Sequence, residues 1–127
     1  MSIPVELDAL ESKTAEYGWA YVLTVTDSST PKIVATTPTW SDGAMLLHEG
    51  GGSARNADAR STITVAYPPV EPDGYTLIVD GEAAVDRSDD QHTVIRLQPS
   101  GAVLHRAAAP GFGGSATGCS HDCAPVE

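Results

Sequence analysis

The pattern of apolar and polar residues changes near Gly18, from a helical spacing to the alternation of a β-strand. Residues 5–17 place apolar side chains on one irregular face, and Gly18 suits a helix end, so this segment is predicted to be a helix. Residues 19–26 alternate with a period of two, which predicts a strand with one heavily buried side. One face of that strand carries Trp19, Tyr21, Leu23 and Val25, and the other carries Ala20, Val22, Thr24 and Thr26.

Turn-forming residues divide the rest of the chain into short strands and one further helix. A short helix is expected over residues 53–60, and Gly81 indicates a bulge or the close approach of another backbone. The last two strands are expected to form a hairpin closed by residues 99–101. The predicted strands after the first cover residues 32–37, 43–49, 61–69, 75–85, 92–98 and 102–106. Short strands at regular intervals favour a mainly β fold, an antiparallel barrel of about six to seven strands with an N-terminal helix and one short helix.

The composition is that of one acidic globular domain. The chain has 127 residues, with 17 acidic against 7 basic side chains and a net charge of −10. Such a charge repels nucleic acids and anionic membranes, so neither is expected as a partner. No apolar run is long enough to span a bilayer, and the first residues lack the pattern of a signal peptide, so a soluble cytoplasmic protein is expected.

The C-terminal residues differ in composition from the rest. We expect a domain over residues 1–107, followed by a flexible tail over residues 108–127 that is rich in Gly, Ala and Ser. Both cysteines, Cys119 and Cys123, lie in this tail within the sequence CSHDC, so they cannot staple the core. A zinc site or a redox loop is open to this cluster, but the second ligand pair of a structural zinc site is missing. A solvated tail with reduced thiols is the favoured interpretation, and no metal is assigned.

Residues 50–56, GGGSARN, combine glycines, a serine and an arginine at the start of the second helix. Glycines let the backbone approach an anion closely, and the free amides at a helix N-terminus carry a positive partial charge. Ser53 adds a hydroxyl, and Arg55 can donate a pair of hydrogen bonds to phosphate oxygens. The same sequence also suits a flexible turn and helix cap, with the nearby arginines solvated or paired to Asp58 and Glu49.

The order of the segments carries a family resemblance. A leading helix precedes YGWAYVLTV, a hairpin leads into PKIVATTP, and DGAMLLH follows as a strand. A short helix with Arg55 and Asn56 then leads directly into STITVAY. Residues 4–107 thereby resemble the pyridoxamine 5′-phosphate oxidase-like family, the flavin- and deazaflavin-binding split β-barrels, of which many members carry an Arg-Asn pair at this place. Many flavin-binding members also have Lys or Arg where this chain has Ser53, so the resemblance implies weak cofactor binding here.

The resemblance implies a homodimer of split barrels that binds its cofactor, FMN or a deazaflavin coenzyme, in a cleft between the subunits. The cofactor phosphate would lie at residues Gly51, Gly52, Ser53, Ala54, Arg55 and Asn56. The tricyclic ring would lie near Thr36, Thr37 and Trp40, although Trp40 also suits the core.

The activity implied by the resemblance is hydride transfer between a flavin-type cofactor and an unknown small-molecule substrate. The protein would mainly bind and orient the reactants, so the lack of a recognised acid-base motif around the histidines does not count against an enzyme. No catalytic residue is assigned. The alternative is a non-enzymatic dimer that binds a cofactor or another small ligand, with a decayed phosphate site and, at the extreme, no bound cofactor.

Overall fold

A computed structural model of the chain describes residues 2–49, 51–89 and 92–107, in which antiparallel strands and two short helices surround one core. The strands are β1 (Ser2–Pro4), β2 (Ala20–Val25), β3 (Pro31–Thr36), β4 (Thr39–Ser41), β5 (Ala44–Leu47), β6 (Thr62–Tyr67), β7 (Thr76–Asp89) and β8 (His92–His105). The helices are α1 (Leu10–Thr14), which follows a single 3-10 turn at Leu7–Ala9, and α2 (Gly51–Ala59). The expected mainly β, antiparallel fold class is confirmed.

The eight strands form one sheet in the order β3-β2-β6-β7-β8-β5-β4, and β1 pairs with the end of β8. The predicted first hairpin is formed by β2 and β3, with Ala20 opposite Thr36 and Val25 opposite Pro31. The longest strands, β7 and β8, have 14 residues each and form the centre of the sheet. Helix α2 lies between β5 and β6 in the chain and packs against β2, β7 and β8.

Residues 99–101, which were expected to close a hairpin, lie inside the continuous strand β8. The register shifts opposite Asp80 and Gly81, so Ser100 forms a bulge that absorbs the turn-like sequence. The proline of this segment has no N–H to donate, and a bulge is a place where a sheet tolerates that loss. Glycine is required at position 81, because a Cβ there would collide with the carbonyl oxygen of Gln98.

The other differences from the expected elements concern short segments. β1 and β4 have three residues each, too few for a period of two to show, and they raise the number of strands from the expected six or seven to eight. The helix predicted over residues 5–17 is an α-helix only over Leu10–Thr14. Its apolar face is irregular, and within α1 only the first and last residues are buried.

The core lies on the inner face of the sheet, and the alternating burial along β2 shows which of its side chains face the core. Ala20, Val22 and Thr24 are buried, while Tyr21, Leu23 and Val25 point outward and are half-buried or exposed. The smaller residues of β2 thus lie on its buried side. Helix α2 packs against this side of the strand. The buried apolar residues are Leu10, Ala20, Val22, Ala44, Met45, Leu47, Ala54, Ala57, Ile63, Val65, Tyr67, Leu77, Val79, Ile95, Leu97 and Ala102.

Two further findings are limited to the described ranges. No helix there is long and apolar enough to cross a membrane. No group of three or more His, Cys, Asp or Glu side chains there is arranged to hold a metal ion. The expected tail over residues 108–127, with Cys119 and Cys123, lies outside the described residues.

Candidate functional site

The glycines at the beginning of α2 form an open helix start. Gly51 has a φ of 57°, in the left-handed region that favours glycine. A Cβ on Gly51 would meet no atom within 4 Å, and a Cβ on Gly52 would first meet a guanidinium nitrogen of Arg55, at 3.9 Å. The first amides of a helix have no acceptor within it, and no described residue elsewhere accepts from these. Backbone donors are therefore available beside the Arg55 guanidinium.

Small residues bring the inner side of α2 close to the barrel. Ala54 and Ala57 are 1% exposed, and Ser53 is 5% exposed. Arg55, by contrast, is exposed on the outer side of the helix. The helix start thus has a buried hydroxyl on one side and a cation on the other.

Asn56 ties α2 to β2. Its side-chain amide donates a hydrogen bond of 3.0 Å to the hydroxyl of Thr24, which is 3% exposed. A buried contact of this kind sets the position of the helix against the sheet. The structure therefore gives Asn56 a positioning contact, and its predicted role in cofactor binding stays a prediction.

Four polar side chains are buried in the part of the chain that the structure describes, namely Thr14, Thr24, Thr36 and Ser53. Thr14 and Thr24 each form hydrogen bonds within the protein. Thr36 and Ser53 have no hydrogen-bond partner among the described residues, and their hydroxyl oxygens are not fully enclosed. Because these two hydroxyls are unpaired and not fully enclosed, they are open to a partner from outside the described residues. Both belong to the set of residues predicted to bind the cofactor.

The charged residues of α2 pair with distant elements. Arg60, just after the helix, pairs with Asp27 at 3.2 Å, and Asp58 pairs with Arg87 of β7 at 2.7 Å. Of the two alternatives for the nearby arginines, solvation or pairing with Asp58 and Glu49, the pairing is not found among the described residues, because Arg60 and Asp58 each have a long-range partner. Arg55 forms no ion pair within the described ranges.

Lys32 is a second cation without an ion pair among the described residues, and it was not among the residues predicted from the sequence. It lies directly opposite Thr24 in the ladder between β2 and β3. Opposite residues point to the same face of a sheet, and Thr24 faces α2 through its bond to Asn56. Lys32 therefore shares the side of the sheet that carries α2. The alternation of Lys32, Val34 and Thr36 was the available signal in the sequence.

The residues predicted to line the ring lie toward the other end of β3. Thr36 is four residues from Lys32, which corresponds to about 13 Å along a strand. It is buried on the same face, whereas Thr37 is exposed. Trp40 in β4 is half-buried, packs against the core and donates its indole N–H to the Thr14 hydroxyl at 2.9 Å. The structure thus places Thr36 on the side of Lys32 and turns the polar atom of Trp40 toward α1.

The outer face of β2 and β3 is apolar. Tyr21 and Leu23 are half-buried there, Val25 is exposed, and Ile33, which lies opposite Leu23, is 57% exposed. Trp19, just before β2, is 47% exposed, and its ring meets Tyr21 edge-on with 4.8 Å between centroids. This face presents the larger apolar residues of the hairpin to solvent.

Comparison with known proteins gives the family. No family model matches the chain. Two uncharacterised proteins match nearly its whole length, Mb0449c of Mycobacterium bovis and MT0457 of Mycobacterium tuberculosis. Each is 37% identical over 131 residues, which cover 94% of this chain and 92% of the relative. The chain belongs to the family of Mb0449c.

Solved structures show the fold of this member of the Mb0449c family. A candidate pyridoxamine 5′-phosphate oxidase of Listeria innocua superposes with a TM-score of 0.65 at 11% identity, covering 77% of this chain and 96% of that one. The FAD-binding protein of Mycobacterium smegmatis gives a TM-score of 0.60 at 15% identity, covering 84% and 100%. An F420 reductase gives 0.56 at 15% identity, covering 67% and 88%. The fold is the split β-barrel of the pyridoxamine 5′-phosphate oxidase-like proteins, as the resemblance implied.

Proposed function

We propose that the chain binds a flavin-type cofactor, FMN or a deazaflavin coenzyme, and transfers hydride between it and a small organic substrate. The observation that carries this proposal is a set of polar groups without partners in the described part of the chain. The set consists of the hydroxyls of two mostly buried residues, Thr36 and Ser53, and two exposed cations, Lys32 and Arg55. Lys32 and Arg55 are exposed and the two hydroxyl oxygens are not fully enclosed, so all four groups can reach an external partner. A ligand with an anionic end and a polar ring accounts for all four.

The start of α2 suits the phosphate of such a ligand. The free amides of residues 51–54 and the Ser53 hydroxyl are donors, and the helix dipole favours a negative charge at this place. Arg55 lies beside these donors, and Lys32 adds a second positive charge from the inner side of β3. In a chain with 17 acidic residues, two cations with neither an ion pair nor a hydrogen bond within the described ranges are consistent with a site for an external anion.

The residues around the end of β3 suit the ring. Thr36 and Thr37 offer hydroxyls to its polar edge, and Trp40 offers an aromatic surface. The length of β3 between Lys32 and Thr36, about 13 Å, matches a molecule that carries a phosphate at one end and a ring at the other. A bound flavin-type cofactor supplies the hydride chemistry. The residues of this chain hold its phosphate and orient its ring.

The solved neighbours agree with a ligand of this class, since one of them is an FAD-binding protein and another is an F420 reductase. The test is a titration of the purified protein with FMN and with a deazaflavin coenzyme, followed by the absorbance and fluorescence of the ring. We expect saturable binding of at least one of the two. If neither binds, the proposal fails.

We further propose that the protein is a homodimer in which a second copy covers the outer face of β2 and β3. This face carries apolar side chains on an edge strand, which proteins normally cover. Its outward residues between Trp19 and Val25 carry no charge, so two copies with a net charge of −10 each can meet there with little repulsion. Ile33→Lys should convert the dimer into a folded monomer, because Ile33 is 57% exposed in the subunit. Light scattering measures the change, and a monomeric wild type would contradict the proposal.

A non-enzymatic carrier of the same cofactor is the second candidate, and Ser53 favours it. A hydroxyl binds a phosphate less strongly than the cation that many flavin-binding members have at this position. The two candidates differ in whether the protein accelerates the reoxidation of the reduced cofactor by small organic acceptors. A carrier binds the reduced cofactor without accelerating its reoxidation, whereas an oxidoreductase accelerates it.

A further inference from the structure

The indole N–H of Trp40 is committed to a contact inside the protein. Trp40 Nε1 donates to Thr14 Oγ1 at 2.9 Å, and Thr14 Oγ1 donates to the carbonyl oxygen of Glu11 at 2.8 Å. Thr14 is 7% exposed, so water does not compete strongly for its hydroxyl. The Thr14 hydroxyl donates its proton to the Glu11 carbonyl oxygen and accepts the N–H of Trp40, so its orientation is fixed. The indole ring is fixed with it.

The buried neighbour of this contact, Tyr67, stays uncharged. Tyr67, which lies close to Thr14, is 2% exposed, and its hydroxyl points at the sulfur of Met45 at 3.9 Å. Burial raises the pKa of Tyr67 to about 12. The phenol is therefore neutral at ordinary pH. Tyr67 therefore places no charge next to Thr14 that would draw its hydroxyl away from Trp40.

We infer that Thr14 is a positioning residue, which holds Trp40 so that the indole offers its ring, and not its N–H, to a ligand at the end of β3. The inference rests on the proposed function for the identity of that ligand. An acceptor atom on the ligand would have to displace the Thr14 hydroxyl to reach the N–H. Contact through the partly exposed ring has no such competitor and is favourable for a flat aromatic partner.

The positioning role is tested first without any ligand. The chain has two tryptophans, so Trp19→Phe leaves Trp40 as the single indole fluorophore and keeps an aromatic ring beside Tyr21. In this background, Thr14→Val removes the hydroxyl with little change of shape, and Thr14→Ser keeps it. We expect Thr14→Val to change the emission maximum and the acrylamide quenching of Trp40, and Thr14→Ser to restore both. Emission from Thr14→Val that equals that of the parent would overturn the inference.

The second arm uses FMN as the probe. Trp40→Phe keeps an aromatic ring and removes the N–H, so the affinity for FMN should stay within about twofold of wild type. Trp40→Ala removes the ring and should weaken binding about tenfold, and Thr14→Val should weaken it about three- to tenfold. Equal losses in Trp40→Phe and Trp40→Ala would show that the ligand uses the N–H and would overturn the inference. Failure of the wild type to bind FMN or the deazaflavin coenzyme would refute the proposed function, while the ligand-free emission would still decide the role of Thr14.

Discussion

The two helices meet the barrel in different ways. At α1 the polar groups that reach the core are paired, as the contact between Trp40 and Thr14 shows. At α2 Asn56 pairs with Thr24 and Asp58 with Arg87, but Ser53 and Arg55 have no partner among the described residues. The difference separates two uses of polar side chains. The paired groups hold the helices against the barrel, and the unpaired groups are the ones we assign to a ligand.

The two uses have opposite consequences for stability. A buried hydrogen bond contributes to the free energy of unfolding, and removing one partner leaves the other unsatisfied, at a cost of about 1–3 kcal/mol. A hydroxyl that has no partner in the protein and is not fully enclosed contributes little to the free energy of unfolding, so replacing it by a methyl group costs little. Substitutions that preserve shape therefore distinguish the two classes of residue.

The largest effect on stability is expected at the contact that positions α2. Thr24→Val leaves the Asn56 amide without its acceptor, so the free energy of unfolding should fall by about 1–3 kcal/mol. Thr36→Val is the matched control, because Thr36 is also buried on the inner side of the hairpin but has no partner within the described ranges. Its free energy of unfolding should stay within about 0.5 kcal/mol of wild type. Urea denaturation measures the free energy of unfolding of both variants. Equal losses in the two would contradict the distinction between paired and unpaired hydroxyls.

A smaller effect is expected at alkaline pH near the α1 contact. Burial raises the pKa of Tyr67 from 10.0 to about 12, so the unfolded chain loses this proton before the folded chain does. The contribution of Tyr67 to the free energy of unfolding is therefore fully present below pH 10 and is lost as the pH rises from 10 toward 12. The urea midpoint of wild type should fall across this range by more than that of Tyr67→Phe. Parallel pH profiles of the two proteins would show that Tyr67 is not buried in this way.

The smallest effect on stability is expected at the start of α2. Ser53→Ala removes an unpaired hydroxyl and introduces a better helix former. The free energy of unfolding should therefore stay unchanged or rise by about a few tenths of a kcal/mol. The affinity for FMN should nevertheless fall, since a phosphate donor is lost. Ser53→Lys should raise that affinity by adding a charge-assisted hydrogen bond. A marked loss of stability in Ser53→Ala would mean that the hydroxyl supports the fold.

Local patterns were sufficient for much of the fold. The period of two in residues 19–26 predicted β2, and Gly81 predicted the bulge between β7 and β8. Residues 99–101 were mistaken for a turn, because the decision between a turn and a bulge depends on the pairing of β8 with β7, which no local sequence encodes. β1 is held only by its pairing with the distant end of β8 and is too short to show a pattern of its own.

The candidate site was predictable where the chemistry is local. The glycines and Arg55 follow one another in the chain, so their joint suitability for an anion is visible in the sequence. Lys32 was missed, because only the ladder opposite Thr24 brings it to the side of α2. The pairing of Asp58 with Arg87 was missed for the same reason, since 29 residues separate the two.

The choice of control for the anion site follows from these contacts. Arg87 is unsuitable, because its pairing with Asp58 holds α2 and its loss would disturb the helix that carries the site. Arg96 is a better control. It is an exposed arginine of β8, and its guanidinium donates to the carbonyl oxygen of Ser41 in β4 at 3.4 Å. Arg96→Ala changes the net charge by the same amount as Arg55→Ala.

The most direct test of the anion site compares FMN with riboflavin, which lacks the phosphate, as ligands of wild type, Arg55→Ala and Arg96→Ala. We predict that wild type binds FMN more tightly than riboflavin. Arg55→Ala should weaken FMN binding by about tenfold or more, the loss of one charge-assisted hydrogen bond, and should leave riboflavin binding unchanged. Arg96→Ala should bind both ligands like wild type. Equal affinities of wild type for the two ligands, or an unchanged affinity of Arg55→Ala for FMN, would contradict a phosphate site at the start of α2.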